Sequence, residues 1–223
     1  MKELKNIKYW LFDLDNTLYS GNTKVFDQVD KKMTQYISEK LKINLVEAKK
    51  LQTEYFHKYN TSLNGLMIHH DIPPKEFLNF VHDIDLSFME KDLVLRGEIE
   101  KLDLRKFVFT NGSSEHVSNI TTHLGIDDLF ENVFDIVDAE YSPKPAAKAF
   151  DLMVKKFDID PKETIYIEDI AKNLSIGKER GATTVWLINN EYWGKKESDK
   201  DYIDYKIENL SLFLKEIRLL KNS

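Results

Sequence analysis

Tyr9-Trp10-Leu11-Phe12-Asp13-Leu14-Asp15-Asn16-Thr17 is the stretch, residues 9–17, that decides the fold. Its first four residues form a continuous apolar run that is too short for a helix, so they predict a buried strand. Asp13 and Asp15 follow directly where that strand ends. Ligands of α/β proteins bind at the carboxyl ends of parallel strands, so this stretch also predicts which edge of the sheet carries the function.

Three further polar clusters each come after a short apolar run. They are Thr110-Asn111-Gly112, Ser142-Pro143-Lys144-Pro145 and Glu168-Asp169. After about Gly97 the apolar runs alternate with helical patterns, which predicts a parallel sheet with helices on both faces. All four clusters then lie at one edge of one sheet.

The elements of this alternation can be placed on the chain. We predict strands over residues 107–109, 133–137, 164–167 and 183–188, and helices over 115–124 and 145–157. Gly125 can end the first of these helices in the left-handed conformation. The polar residues 189–204 predict a loop.

Between the first two clusters the pattern is helical throughout. Apolar residues recur there at three- and four-residue spacing, and Asn44 with Glu47 resembles a capping box that opens the second helix. We therefore predict an all-helical insert at residues 18–95, within a core formed by residues 1–17 and 96–223.

The composition narrows the classes of function. The chain has 223 residues and a net charge of −6, so it lacks the basic surface that a nucleic-acid polymer requires. It has no cysteine, which excludes disulfides and thiolate nucleophiles and favours a cytoplasmic location. No apolar run approaches the ~20 residues that span a bilayer, and no signal-peptide core is present, so we expect no membrane association.

The residue types in the clusters are those that phosphoryl transfer needs. Asp13 can attack phosphorus and form an acyl phosphate, because carboxylates act as covalent nucleophiles. Asp15 lies two residues further along, near the leaving oxygen, where it can donate a proton and later take one from water. Thr110 can donate its hydroxyl, and Asn111 and Gly112 their backbone N–H groups, to the phosphoryl oxygens.

The same site needs positive charge, because two carboxylates repel a phosphate. Hard oxygen ligands beside a phosphate favour Mg²⁺, and the predicted ligands are Asp13, the backbone carbonyl of Asp15 and Asp169. We expect Glu168 either to bind the metal directly or to contact one of its ligands. Lys144 can offset charge as the transition state forms.

Each cluster alone has a simpler interpretation. Asp13 and Asp15 can sit in an ordinary capped loop, and Thr110-Asn111-Gly112 can be a turn. Ser142-Pro143-Lys144-Pro145 can be a rigid turn that carries a solvated lysine, and Glu168-Asp169 can be an acidic helix start. Four such coincidences at the ends of strands are harder to explain than one catalytic site.

In this order the four clusters resemble the four motifs of the haloacid dehalogenase-like hydrolase superfamily, and the helical insert resembles its C1-type cap. The resemblance covers nearly the whole chain. It implies a Rossmann-like core, Mg²⁺-dependent phosphatase activity through a phosphoaspartyl intermediate, and an active site that the cap closes. By the motif match, Asp13 is the nucleophile and Asp15 is the general acid and base. Thr110 is the phosphate ligand of motif two, Lys144 is the lysine of motif three and Asp169 is the metal ligand of motif four. The chain departs from the pattern at Asn173, where motif four often has a further acid.

A narrower resemblance rests on four stretches: residues 12–19, Gly65-Leu66, residues 80–85 and residues 167–174. They are similar to the pyrimidine 5′-nucleotidase branch of the superfamily, which implies hydrolysis of UMP, CMP or related nucleoside monophosphates. If the cap reads a base, Tyr19 and His69 are the candidates, since aromatic faces suit stacking.

For His69, His70 and His82 we nevertheless favour structural or solvent-facing roles. His69 and His70 point about 100° apart on a helix, so both do not easily serve one site. The alternative is a metal cluster or a substrate-reading face that includes His82, Asp83 and Asp85. Three histidines belong to no predicted constellation: His57, His116 and His123.

Three functional hypotheses follow. The first is a nucleoside-monophosphate phosphatase. The second is another enzyme on the same scaffold: a phosphatase of sugar phosphates or phosphoglycolate, a phosphomutase, or a dehalogenase, which has no need of Asp15 or Asp169. The third is a silent binding module, which the intact set of catalytic side chains disfavours. The oligomeric state does not follow from the sequence.

Overall fold

The computed structural model describes residues 6–189 and 191–221 and is built around one parallel sheet of six strands. The strands are β1 (Tyr9–Phe12), β2 (Arg105–Phe109), β3 (Asn132–Phe134), β4 (Thr164–Glu168), β5 (Thr183–Leu187) and β6 (Tyr205–Ile207). Their order across the sheet is β3-β2-β1-β4-β5-β6. The order reverses between β1 and β4, which makes their carboxyl ends the switch point at which such sheets bind ligands.

The helices of the described residues fall into two groups. The first is α1 (Val25–Leu41), α2 (Leu45–Tyr59), α3 (Ser62–His70) and α4 (Pro74–His82). The second is α5 (Leu93–Glu100), α6 (Ser114–Leu124), α7 (Ala147–Phe157), α8 (Leu174–Glu179), α9 (Tyr192–Lys195) and α10 (Leu210–Lys221).

Each face of the sheet has its own apolar core. Successive side chains of a strand point to opposite faces. Trp10 and Phe12 pack in one buried cluster with residues of α5, α6 and α10, whereas Leu11 packs in a second cluster with residues of α7 and α8. The strands are therefore covered on both sides, as the continuous apolar runs predict.

A third apolar cluster lies mainly within the helical insert and also includes Ile136, which follows β3. Buried side chains from all four helices α1 to α4 form this cluster, which includes Tyr36, Ala48, Leu66 and Phe77. Tyr36 and Phe77 meet edge to face with their ring centroids 5.2 Å apart. The capping box predicted at Asn44 is confirmed, because the Glu47 N–H donates to its side chain and the Glu47 carboxylate accepts from its backbone N–H.

Several boundaries differ from the predictions. Strand β3 ends at Phe134 rather than at residue 137, because the Asp135 carboxylate accepts the N–H groups of Val137 and Asp138 and turns the chain. Helix α5 runs across residues 95 and 96, and its buried residues Leu95 and Ile99 pack with the sheet; the division of the chain at this position stays a prediction. The predicted loop at 189–204 contains the single-turn helix α9. Gly125 ends α6 with φ of 70°, as predicted.

Within the described part of the chain, no helix combines the length and the apolar character needed to cross a bilayer.

Candidate active site

The register of the sheet brings Asp13 to the switch point. Phe12 of β1 is aligned with Val108 of β2 on one side and with Ile167 of β4 on the other. The next residue, Asp13, donates its N–H to the carbonyl of Ile167 at 3.0 Å. Asp13 therefore lies where the strand order reverses, between the last residues of β2 and β4.

Lys144 joins these three strand ends. Its Nζ lies 2.6 Å from Oδ1 of Asp13, 2.7 Å from Oε2 of Glu168 and 2.9 Å from the carbonyl oxygen of Phe109. The side chain is fully buried, and its backbone N–H donates to Oδ1 of Asn111 at 2.9 Å. Burial alone lowers the pKa of a lysine, but the two carboxylates raise the pKa of Lys144 above its usual value, so the ammonium stays charged.

Three buried carboxylates lie together at this edge of the sheet, and two of them, Asp13 and Glu168, bond to Lys144. Asp13, Glu168 and Asp169 each place a carboxylate oxygen within 4.8 Å of the others. Burial and the charge of Glu168 raise the pKa of Asp13 to about 7, although Lys144 pulls it down. Burial and the same neighbouring charges hold the pKa of Asp169 well above its usual value. The cluster thus has an excess of negative charge that a cation can neutralise.

The donor set fits a hard divalent cation. Hydrogen bonds from Lys144 and from Nδ2 of Asn189, the latter at 2.7 Å, go to Oδ1 of Asp13 and Oδ2 of Asp169. Each of these two carboxylates has a second oxygen that can face a cation. The indole of Trp186 donates to the backbone carbonyl of Asp169 at 2.7 Å and so orients this residue. All-oxygen donors of this kind suit Mg²⁺.

Asp15 lies beside this cluster and has a different environment. Its Oδ1 lies 2.6 Å from the hydroxyl of Tyr19 and 2.8 Å from Nε2 of His116. Burial acts to raise the pKa of Asp15, but His116 and the Tyr19 hydroxyl outweigh it and lower the pKa to about 2. An ionised carboxylate only accepts hydrogen bonds, so Nε2 of His116 is the donor.

The predicted phosphate-binding residues follow β2. Thr110 is buried, and its Oγ1 accepts the N–H of Gly112 at 2.9 Å. The Gly112 N–H, predicted to bind phosphate, is thus engaged locally, whereas the Thr110 hydroxyl keeps its own proton to donate. The side chain of Asn111 holds the backbone of Lys144. This cluster therefore contributes one hydroxyl and the support for the lysine, and the backbone N–H of Asn111 stays a predicted phosphate donor.

A cavity of about 370 Å³ lies between the sheet edge and the helical insert. Its floor is formed by Asp13, Asp15, Thr110, Lys144 and Asp169. Its other walls come mainly from the insert and from α9, and include Phe26, Met33, Gln52, Phe56, His57, Asn60, Leu78, His82, Tyr192 and Trp193. Asn173, whose role the sequence left open, is also part of the lining.

The two candidates for base recognition are not part of this lining. Tyr19 is buried in the core of the sheet, and its hydroxyl faces Asp15. His69 is exposed near the end of α3 and bonds to the hydroxyl of Tyr59. Among the described residues, the histidines also form no metal-binding group.

Sequence reasoning missed His116 and Asn189, which contact Asp15 and Asp169. The prediction that His116 belongs to no constellation is wrong, because its ring is buried against Asp15. One signal was present: His116 stands in the first turn of the helix that follows Thr110-Asn111-Gly112, at the functional edge of the sheet. Nothing in the sequence around Asn189 indicated its contact.

Fold and site together define a Rossmann-like α/β protein with a buried cluster of carboxylates and one lysine at the switch point. The chain belongs to the haloacid dehalogenase-like hydrolase family, whose model matches residues 7–181.

Three curated proteins are similar in sequence to this chain. The chain is 25% identical over 238 residues to glyceraldehyde 3-phosphate phosphatase of Methanocaldococcus jannaschii, covering 96% of this chain and 99% of that protein. It is 27% identical over 151 residues to D-ribitol-5-phosphate phosphatase of Bacteroides thetaiotaomicron, with 66% and 72% covered. It is 30% identical over 159 residues to phosphate metabolism protein 8 of Saccharomyces cerevisiae, covering 65% of this chain but only 50% of the yeast protein.

Solved structures share the fold over nearly the whole chain. A HAD phosphatase from Thermococcus onnurineus superposes with a TM-score of 0.62 at 20% identity, covering 96% of this chain and 97% of that one. The HAD hydrolase YfnB of Bacillus subtilis, bound to magnesium, superposes with a TM-score of 0.58 at 18% identity, covering 97% and 99%.

Proposed function

We propose that this protein is a Mg²⁺-dependent phosphatase that hydrolyses small phosphate monoesters through a phosphoaspartyl intermediate, with sugar phosphates as the principal substrate class. The observation that carries the proposal is the position of Asp13, which lies at the switch point and is held by Lys144 within a cluster of buried carboxylates. The relatives that act on glyceraldehyde 3-phosphate and ribitol 5-phosphate support the substrate class.

Asp13 is the proposed nucleophile. One of its oxygens forms a bond to phosphorus while the bond from phosphorus to the leaving oxygen breaks. Lys144 orients the carboxylate through Oδ1 and balances part of the charge of the phosphoryl group. The hydroxyl of Thr110 donates to a phosphoryl oxygen.

Asp15 is the proposed acid and base. It gives a proton to the leaving oxygen in the first half of the reaction and takes one from the attacking water in the second. The free protein holds Asp15 ionised, and a bound phosphate places like charge beside it, which raises its pKa and favours the protonated form.

We assign the metal site to Asp13, Asp169 and the backbone carbonyl of Asp15, with Glu168 beside it and bound to Lys144. A Mg²⁺ ion there supplies positive charge that lets an anionic nucleophile approach an anionic phosphorus. The magnesium bound to YfnB of Bacillus subtilis supports this choice of metal.

Helices α1 to α4 are the proposed cap, because they pack together in one apolar cluster and supply most of the cavity wall that faces the sheet edge. The return to the core then lies before Leu93, where α5 begins.

Pyrimidine nucleoside monophosphates are the second candidate substrates. The observation that favours them is an aromatic wall: the ring of Trp193 lies 5.8 Å from that of Phe26 and 6.3 Å from that of Phe56, centroid to centroid. All three residues line the cavity, and aromatic faces suit a nucleobase.

The test is phosphate release by the purified protein with Mg²⁺ from p-nitrophenyl phosphate, glyceraldehyde 3-phosphate, ribitol 5-phosphate, phosphoglycolate, UMP and CMP. We expect turnover that EDTA suppresses and that Asp13→Asn abolishes, with the highest kcat/KM on a sugar phosphate. Preference for UMP or CMP selects the second candidate and leaves the chemistry unchanged. Wild-type turnover in Asp13→Asn contradicts the mechanism, and halide release from a haloacid without phosphatase activity contradicts the reaction class.

A further inference from the structure

Two hydrogen-bond donors converge on one oxygen of Asp15. The Tyr19 hydroxyl and Nε2 of His116 both bind Oδ1, at 2.6 and 2.8 Å. The other oxygen, Oδ2, lies on the side of Gly112 and Thr110: a Cβ placed on Gly112 is 3.7 Å from Oδ2 and 3.3 Å from Oγ1 of Thr110. Asp15, Thr110 and Gly112 all line the cavity. Oδ1 is thus anchored, and Oδ2 is the oxygen near the proposed phosphate ligand.

The ring of His116 is itself held in place. It is 1% exposed and stacks on the ring of His82, with centroids 4.2 Å apart and planes 9° from parallel. Nδ1 of His82 lies 3.0 Å from Oγ of Ser113, which fixes the second ring in turn. A Cβ on Gly112 would lie 3.3 Å from Cδ2 of His116, so the ring takes up the space that a side chain at position 112 would need.

We propose that His116, together with Tyr19, is a positioning residue that holds Asp15 through Oδ1 and leaves Oδ2 to exchange the proton of the phosphatase reaction. This inference rests on the proposed function. In the first half, the proton on Oδ2 passes to the leaving oxygen as its bond to phosphorus breaks. In the second half, water forms a bond to phosphorus, the bond from phosphorus to Asp13 breaks, and the proton lost by water returns to Oδ2.

A comparison of two leaving groups can distinguish a positioning role of His116 from a role in packing alone. An alkoxide is a strong base and needs the proton as it departs, whereas a p-nitrophenolate departs without it. The ratio kcat/KM reports substrate binding and the steps up to the cleavage of that bond, so it includes the proton transfer to the leaving oxygen and excludes the later hydrolysis of the phosphoaspartyl intermediate. A defect in positioning Asp15 lowers kcat/KM for alkyl phosphates selectively, and a general defect in packing lowers it for both.

The experiment compares His116→Gln with His116→Met in the full chain. Gln can place a donor near the position of Nε2, and Met has similar length but no donor. Both are assayed with Mg²⁺ on the best alkyl phosphate and on p-nitrophenyl phosphate. For His116→Met we expect kcat/KM to fall about tenfold or more on the alkyl phosphate and about twofold on the aryl phosphate. His116→Gln should restore most of the alkyl activity.

Tyr19→Phe removes one hydroxyl and keeps the buried ring, so it tests the same anchor even if substitution of His116 prevents folding. We expect the same selective loss on the alkyl phosphate. Equal losses on both substrates in His116→Met and Tyr19→Phe, or His116→Gln no better than His116→Met, would overturn the positioning role while leaving the phosphatase proposal intact. Failure of the wild-type protein to hydrolyse any phosphate monoester overturns the proposed function itself.

Discussion

Nζ of Lys144 and Oδ1 of Asp13 are 2.6 Å apart in the interior of the protein, although 131 positions separate the two residues in the sequence. The ammonium is the only cationic side chain among the hydrogen-bond partners that the described residues give to Asp13 and Glu168. Its charge is therefore required both by the fold of this edge and by the ionised state of the nucleophile.

Lys144→Met should remove activity and stability together. The buried carboxylates lose their counter-charge, which costs about 3–5 kcal/mol when one partner of a buried ion pair is deleted. We expect kcat to fall more than about 100-fold. Phosphate release and urea unfolding measure the two effects. Lys148→Met is the control, because Lys148 pairs with Glu140 at the surface and its loss should cost under about 1 kcal/mol.

Asp13→Asn should change how stability depends on pH in metal-free protein. Burial and Glu168 raise the pKa of Asp13 from 3.8 to about 7 in the folded state, so between these values the folded state binds more protons than the unfolded state. The stability that Asp13 contributes is therefore greatest below about pH 4 and falls as the pH rises to about 7.

The asparagine variant lacks this dependence. Thermal unfolding in EDTA should show the difference between variant and wild type growing in favour of the variant from pH 4 to pH 7. A difference that is constant over this range contradicts the raised pKa. Mg²⁺ should recover stability at pH 7 in the wild type, because a ligand that binds only the folded state stabilises it.

Phe56→Ala and His69→Ala should differ in their effect on substrate binding. Phe56 lines the cavity, and loss of its ring should raise KM about tenfold, the equivalent of about 1.4 kcal/mol. His69 is exposed and contacts Tyr59, so we expect its removal to leave KM within about twofold. Steady-state kinetics on the best substrate decide this. An increase in KM of more than about twofold in His69→Ala would instead indicate that His69 contacts the substrate.

Gly65→Ala and Gly97→Ala should shift stability in opposite directions. A Cβ on Gly65 would lie 2.4 Å from Cγ of Tyr55, so α2 and α3 must separate, at a cost of about 1–3 kcal/mol. A Cβ on Gly97 meets only the end of the Lys101 side chain at 3.9 Å, so alanine should stabilise α5 by about 0.5–1 kcal/mol. Calorimetric melting of both variants checks the prediction, which a loss of stability in Gly97→Ala contradicts.

The sequence by itself predicted the elements whose signals are local. The run Tyr9–Phe12 predicted β1 because a short, wholly apolar segment is stable only when it is buried on both faces. The capping box at Asn44 and the stop at Gly125 were equally readable, since each depends on residues at most a few positions away. The local signal failed at Asp135, whose carboxylate turned the chain before the apolar residues 136 and 137 could extend β3.

The sequence also determined which polar residues share one edge, because parallel strands end on the same side of a sheet. Tertiary structure alone decided how they meet. The bond between His116 and Asp15 joins residues that lie 101 positions apart in the sequence. Tertiary structure also decided the hydrogen bond from Asn189 to Asp169 and the position of His69 outside the cavity. The existence of a buried strand follows from a local hydrophobic pattern, whereas a contact between two side chains far apart in the sequence follows from packing that no local pattern encodes.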